Sequence, residues 1–209
     1  MINNFFKIIH TKYYRFFRFI FFLRYLLLIF IISTAIFLII PNFFNYEKRA
    51  KILKNHLSKK YNFELVSYKS IKFNSFLTPS LEINDAKINI KPYKINLFVK
   101  NIKLTPKLIS IYNYDNFKTN KIFLKNNNIT LEARELKDLG NYLINQNSKM
   151  KFDNLNLLIE NNSNRLAEIK RIRFSNFGYK KNLIRGEIFG KNFKVKINEN
   201  FDKINFYLI

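Results

Sequence analysis

Hydrophobic and polar positions follow three successive rhythms along the chain. The first is unbroken: from Tyr25 to Ile40 (YLLLIFIISTAIFLII) no residue carries a charge of either sign. These sixteen positions cover about 24 Å at about 1.5 Å per residue, and continuing to Phe44 brings the length to about 30 Å, the thickness of a bilayer's hydrocarbon core. The pattern predicts a transmembrane anchor over residues 19–44 behind a basic arm over residues 1–18, with Arg24 snorkelling at the near end. A buried core helix of this kind would need other long helices around it, and the rest of the chain reads as strands.

The second rhythm starts after Pro41 and Asn42. Tyr46, Ala50, Leu53 and Leu57 recur at steps of four, three and four, the period of an amphipathic helix. Its other face is basic, and Lys48, Arg49, Lys51 and Lys54 are candidates for gripping anionic headgroups at about 1 kcal/mol each. The same helix could equally cap the end of a sheet with its basic face in water, and the two roles are compatible.

After Tyr61 the period becomes two. Leu81 and Ile83, Ile88 and Ile90, Ile95 and Leu97, Ile102 and Leu104, Phe193 to Ile197, and Ile204 to Leu208 alternate with polar residues, the mark of half-buried antiparallel strands. The polar stretches 125–128 and 160–164 sit where hairpin turns belong. Residues 134–146 break the alternation with Leu136, Leu139 and Leu143 at helical spacing, predicting one short inserted helix. No repeat of fixed length is evident, and with four Gly and four Pro in all there is no linker, so residues 45–209 form one domain.

Composition narrows the chemistry. The 209 residues carry 37 Lys+Arg against 14 Asp+Glu, a net charge of +23, yet 48% are hydrophobic, too many for a disordered basic tail. There is no Cys, which excludes disulfides, thiolate metal sites and a cysteine nucleophile. The two histidines, His10 and His56, flank the span and so fall on opposite sides of a bilayer. Gly186 and Gly190 have three residues between them and lead into a strand, whereas a phosphate loop needs four between its glycines and a helix after them. Glu135 and Asp138 share a helical face with Arg134 and Lys137 beside them, which reads as a solvated charged face and not an acid–base pair. Neither a catalytic residue, a cofactor nor a metal is expected. The basic residues are spread along the chain, and Lys, Asn, Ile and Phe all have A/T-rich codons, so a nucleic-acid partner is not expected either.

Lysines and arginines flank the span on both sides almost equally, so the positive-inside count alone does not orient it. The short, purely basic N-terminal region, with no acidic residue before Glu47, reads as an uncleaved signal-anchor that leaves the N-terminus in the cytoplasm. The expected location is the inner membrane, single-pass, with the bulk of the chain periplasmic.

Three stretches then resemble the N-terminal region of AsmA-like proteins. KNHLSKKYNFEL (Lys54 to Leu65) is similar to the post-membrane helix leading into the first strand. YKSIKFNSFLTPSLEINDAKINI (Tyr68 to Ile90) is similar to the strand, Pro-containing turn and L-x-I-x-D-A-x-I pattern, and Asn101 to Leu131 to the following crossover. The resemblance covers about half the chain at low residue specificity, and AsmA-like proteins are usually several times longer. It implies a mainly β fold: the two N-terminal helices, then a curved antiparallel sheet whose apolar groove carries lipid between membranes. Leu81, Ile83, Ile88, Ile90, Ile95 and Leu97 are the candidates for that groove, with phospholipid or another lipid as ligand and other envelope proteins as partners. A packed sandwich core is the alternative for the same six residues, and an anchored scaffold pairing through its sheet edge is the alternative function. The apolar alternation running to Ile209 leads to the expectation that the groove continues in a longer form of the chain.

Overall fold

The computed structural model describes residues 13–75, 78–197 and 204–208; the first part of the basic arm, with His10, lies outside them. The chain divides into two units, residues 1–43 and 44–209. In the first, helix α1 (Tyr14–Ile39) continues as a 3₁₀ turn, Ile40–Phe43. It is long and apolar enough to cross a membrane.

The second unit is mainly β. Helix α2 (Ala50–Tyr61) precedes the strands β1 (Phe63–Ser67), β2 (Ser70–Asn74), β3 (Ser80–Ile90) and β4 (Ile95–Pro106). A one-turn helix α3 (Leu108–Tyr112) leads to β5 (Thr119–Glu132), and helix α4 (Leu136–Asn145) leads to β6 (Met150–Asn161). Strands β7 (Asn164–Ser175), β8 (Leu183–Ile188), β9 (Lys191–Ile197) and β10 (Ile204–Leu208) complete the unit.

All ten strands join one curved, unclosed sheet in the order β1-β3-β4-β5-β6-β7-β8-β9-β10, with β2 beside β1 along β3. The pairing is antiparallel except at β5 and β6, which run parallel. That exception follows from the inserted helix: α4 carries the chain back along the sheet, so β6 restarts at the end where β5 began. The helix falls where its leucine spacing predicts. A 3₁₀ turn, Ala133–Glu135, leads into it, and Glu135 Oε2 accepts the Glu132 N–H at 3.0 Å, so this carboxylate serves the capping box of that turn.

The stretch 160–164 is a hairpin turn at Asn162 and Ser163. The stretch 125–128, expected to be a turn, instead lies in the middle of β5. Its polar residues mark a break in phase, not in direction. In β3 the inward positions step from Ile83 to Ala86, and in β4 from Val99 to Ile102, a spacing of three where alternation gives two. The same step separates Leu124 from Asn127, Phe152 from Leu155, and Ile169 from Ile172. Pairing lines these slips up: Asn84, Asn101, Lys125 and Asp153 are partners in sequence across β3–β6, as are Ala86, Val99, Asn127 and Leu155. Each strand thus carries one extra residue at the same height. At Asp85, Asn126, Asn154 and Arg171 the backbone turns left-handed, with φ of 49°, 53°, 58° and 53°, a conformation that Asn and Asp tolerate best.

The result is a crease across five strands, and it bends them. Phe63 pairs with Ile90 near one end of the sheet, while Thr119 pairs with Pro106 at the other. Along straight strands these ends would stand about 35 Å apart at about 3.3 Å per residue. Yet Tyr61 touches both, its ring 6.2 Å from that of Phe63 and its hydroxyl 3.1 Å from Thr119 Oγ1. Only a sheet folded along the crease brings them together.

Candidate functional site

The inner face of this folded sheet is the candidate site, and its lining follows from alternation. Ile83, Ile102, Leu124, Phe152 and Phe174 form one row across β3–β7, and Ile88, Leu97, Ile129, Leu157 and Ile169 another. The six sequence-chosen lipid residues are all on this face. Leu81, Ile83, Ile88, Ile90, Ile95 and Leu97 are, however, at most 1% exposed, in one packed cluster with Leu53, Leu57 and Tyr61 of α2. The correction is that this part of the face is closed by the chain itself. Helix α2 presents the apolar stripe its spacing predicts, and the sheet takes it as cover.

The cover is held at defined points. Asn62 ends α2 in the left-handed conformation, its N–H donating to the Leu57 and Ser58 carbonyls. Glu47, ahead of the helix, accepts the Ile71 N–H at 3.1 Å and the Tyr68 hydroxyl at 2.8 Å, tying the approach to β2. Tyr142 of α4 donates to the Tyr61 carbonyl at 2.7 Å, locking the two helices together; burial pushes its phenol well above the usual tyrosine range.

A polar cluster sits where α2 meets β5. His56 Nε2 lies 2.9 Å from Thr119 Oγ1, and Lys60 Nζ donates to the Thr119 carbonyl. Thr119 is 1% exposed, so its hydroxyl is a structural partner, out of a substrate's reach. Burial, reinforced by Lys60, lowers the His56 pKa to about 4, while burial and Lys107 lower that of Lys60. The unfolded chain therefore binds a proton at His56 that the folded chain resists. Stability should be full above pH 6.5 and fall by about 1–2 kcal/mol as pH drops to 4, allowing for the solvent side of the ring. His56→Gln should flatten that slope in denaturant titrations between these two pH values; an unchanged slope would show that another group governs it.

Of the four candidate headgroup residues, Lys48 and Lys51 are exposed. Arg49 stacks its guanidinium 4.8 Å above the Phe44 ring, and Lys54 Nζ lies 5.7 Å from the Tyr68 ring. Gly186 lies in β8, where a Cβ would come 2.7 Å from the Phe193 ring, and Gly190 lies in the β8–β9 turn. The first glycine is explained by packing and the second by its φ of 74°.

Beyond β6 the inner face continues with mixed burial: Ile172, Phe174, Phe193 and Ile197 are at most 8% exposed. Ala167, Ile169 and Ile184 pack against the core cluster yet are only partly buried, and Ile188 and Val195 are likewise half open. Sequence reasoning missed Ile184 and Ile188 because β8 has no clear alternation; their spacing around Gly186 was the available signal. Comparison with protein-family models and with curated protein sequences finds no match to this chain.

Proposed function

We propose that this chain is a membrane-anchored, AsmA-like lipid-handling protein of the inner membrane, with its sheet unit in the periplasm and a part in lipid transport or outer-membrane biogenesis. The observation that carries the reading is the apolar inner face of β7–β9, which is only partly buried at Ile169, Ile184, Ile188 and Val195. Such a face needs a cover, and acyl chains supply one through nonspecific apolar contact, at about 25 cal/mol per Å² removed from water. No catalytic group is required for that role. Ligand contact belongs to Ile169, Ile184, Ile188 and Val195, while the residues on β3 and β4 build the wall behind them.

Photo-crosslinking in cells separates this from an anchored scaffold. A photoreactive benzoylphenylalanine in place of Ile184 should yield a phospholipid adduct, and one in place of Arg185, its outward neighbour, should not. Adducts at Ile184 with protein alone, or equal lipid labelling at both sites, would defeat the lipid reading.

A further inference from the structure

Two hairpins turn at the same end of the sheet, the β6–β7 tip reaching about four residues beyond the β8–β9 tip, and both use two-residue loops with positive φ at each position. The β6–β7 loop has Asn162 and Ser163 at φ of 48° and 65°, and the β8–β9 loop has Phe189 and Gly190 at 51° and 74°. Asn, Asp and Gly suit such loops, whereas a bulky aromatic in the left-handed region is strained. Phe189 gains nothing from packing in return, since it is 79% exposed. Beside it Leu166 is 54% exposed, and the two line one depression with Arg165 and Lys170. The tip's acids are already engaged, Glu168 by Arg165 and Lys170 and Glu187 by Arg171.

The outer face below this tip is cationic. Arg173, Arg185 and Lys194 are direct partners across β7, β8 and β9, an arrangement of like charges that disfavours the sheet unless something anionic answers it. Arg173 Nε has Asp153 at 3.4 Å, and among the described residues no acid pairs with Arg185 or Lys194. Strain at an exposed aromatic and a same-sign row behind it are two independent departures from what folding alone favours, and both fit one occupant.

We infer that the β8–β9 tip, the adjoining stretch of β7 and the outer face behind them form a membrane-docking surface, in which Phe189 and Leu166 enter the interfacial layer of an anionic bilayer while Arg173, Arg185 and Lys194 meet its phosphates. Aromatic and aliphatic side chains at such depth, backed by basic residues, bind by buried apolar area plus charge. This surface is separate from the inner face and does not depend on that face carrying lipid.

The chain has no Trp, so Phe189→Trp and, separately, Leu166→Trp each create a single reporter. The full chain is reconstituted into vesicles of phosphatidylcholine with or without phosphatidylglycerol. Brominated acyl chains are placed either in the host vesicles or in added protein-free vesicles. With phosphatidylglycerol, both reporters should shift to the blue and be quenched at least twofold in one of the two arms, and high salt should reverse part of the effect. Adding Phe189→Asn to the Leu166→Trp protein should raise its melting temperature by about 2–5 °C, because the turn residue improves, while lowering the quenching about tenfold. Solvent-like, unquenched emission from both reporters would overturn the inference, as would equal quenching in neutral vesicles. Unaltered quenching in the Phe189→Asn protein would also overturn it, whatever that protein's melting temperature.

Discussion

Ile90→Asp should abolish cooperative folding of the sheet unit. Ile90 is 0% exposed, between Phe63 and Ile95 in one row, inside the hydrophobic core cluster. A carboxylate there either stays charged without a partner or takes up a proton, and both cost several kcal/mol, comparable with the whole stability of a domain of this size. Ile184→Asp, on the partly buried part of the same face, should cost less, about 1 kcal/mol, because solvent can reach it. Denaturant unfolding of the full chain followed by circular dichroism measures both. If Ile90→Asp kept a transition within about 1 kcal/mol of the parent, the face behind β3 and β4 would have to be wet or ligand-lined instead of packed.

The second large effect concerns the crease. Deleting Asn126 makes β5 alternate without a break from Ile122 to Leu131, and in an isolated strand that would be an improvement. In this sheet it should be severely destabilising, by more than about 3 kcal/mol. Strands β4 and β6 would still step by three residues between the Ile83 row and the Ala86 row, and β5 would step by two. One half of β5 must then slip register, which sets inward side chains against outward ones on both neighbours. Asn126→Gly keeps the residue count and the φ of 53° and loses only the bond accepted from Asn154 at 2.8 Å, an exposed contact of about 1 kcal/mol or less. A deletion variant as stable as the glycine variant would show that the crease is not set by the count of residues.

Much of the architecture is legible in the sequence because it rests on period. The apolar run, the helical stripe of Ala50, Leu53 and Leu57, the leucines of α4 and the alternating strands stand where their spacing puts them, while Tyr46, the first position of that stripe, is buried but lies in the turn ahead of α2. What alternation hides is how segments join. Leu81–Ile83 and Ile88–Ile90 read as two short strands with a break between them, because the inward parity changes at Asn84 and Asp85; they are one strand, β3. The polar stretch 125–128 reads as a turn for the same reason. Turn chemistry and bulge chemistry use the same residues, since both need left-handed backbone, and only the neighbours' matching slips tell them apart. The step of three recurring in β3 to β7 was available as a signal, but its period varies with loop length, so a search for a fixed repeat passes over it.

The candidate site was half legible. Alternation assigns Leu81, Ile83, Ile88, Ile90, Ile95 and Leu97 to one face, but which part of that face is roofed depends on where α2 and α4 come to rest. That is decided by long-range contacts such as Tyr142 to Tyr61 and Tyr61 to Thr119. The strain at Phe189 was likewise invisible, for Phe-Gly becomes a notable dipeptide only once its φ angles are known.

Because every long strand from β3 to β7 holds its own bend at a common height, curvature here is stored locally and repeated, not imposed by the two margins of the sheet. A copied hairpin bearing the same three-residue step would find matching partners on either side and fold over at the same line. Such an architecture can lengthen or shorten by whole hairpins while keeping its cross-section, so that in descendants of this chain the trough's length and its profile are free to change independently.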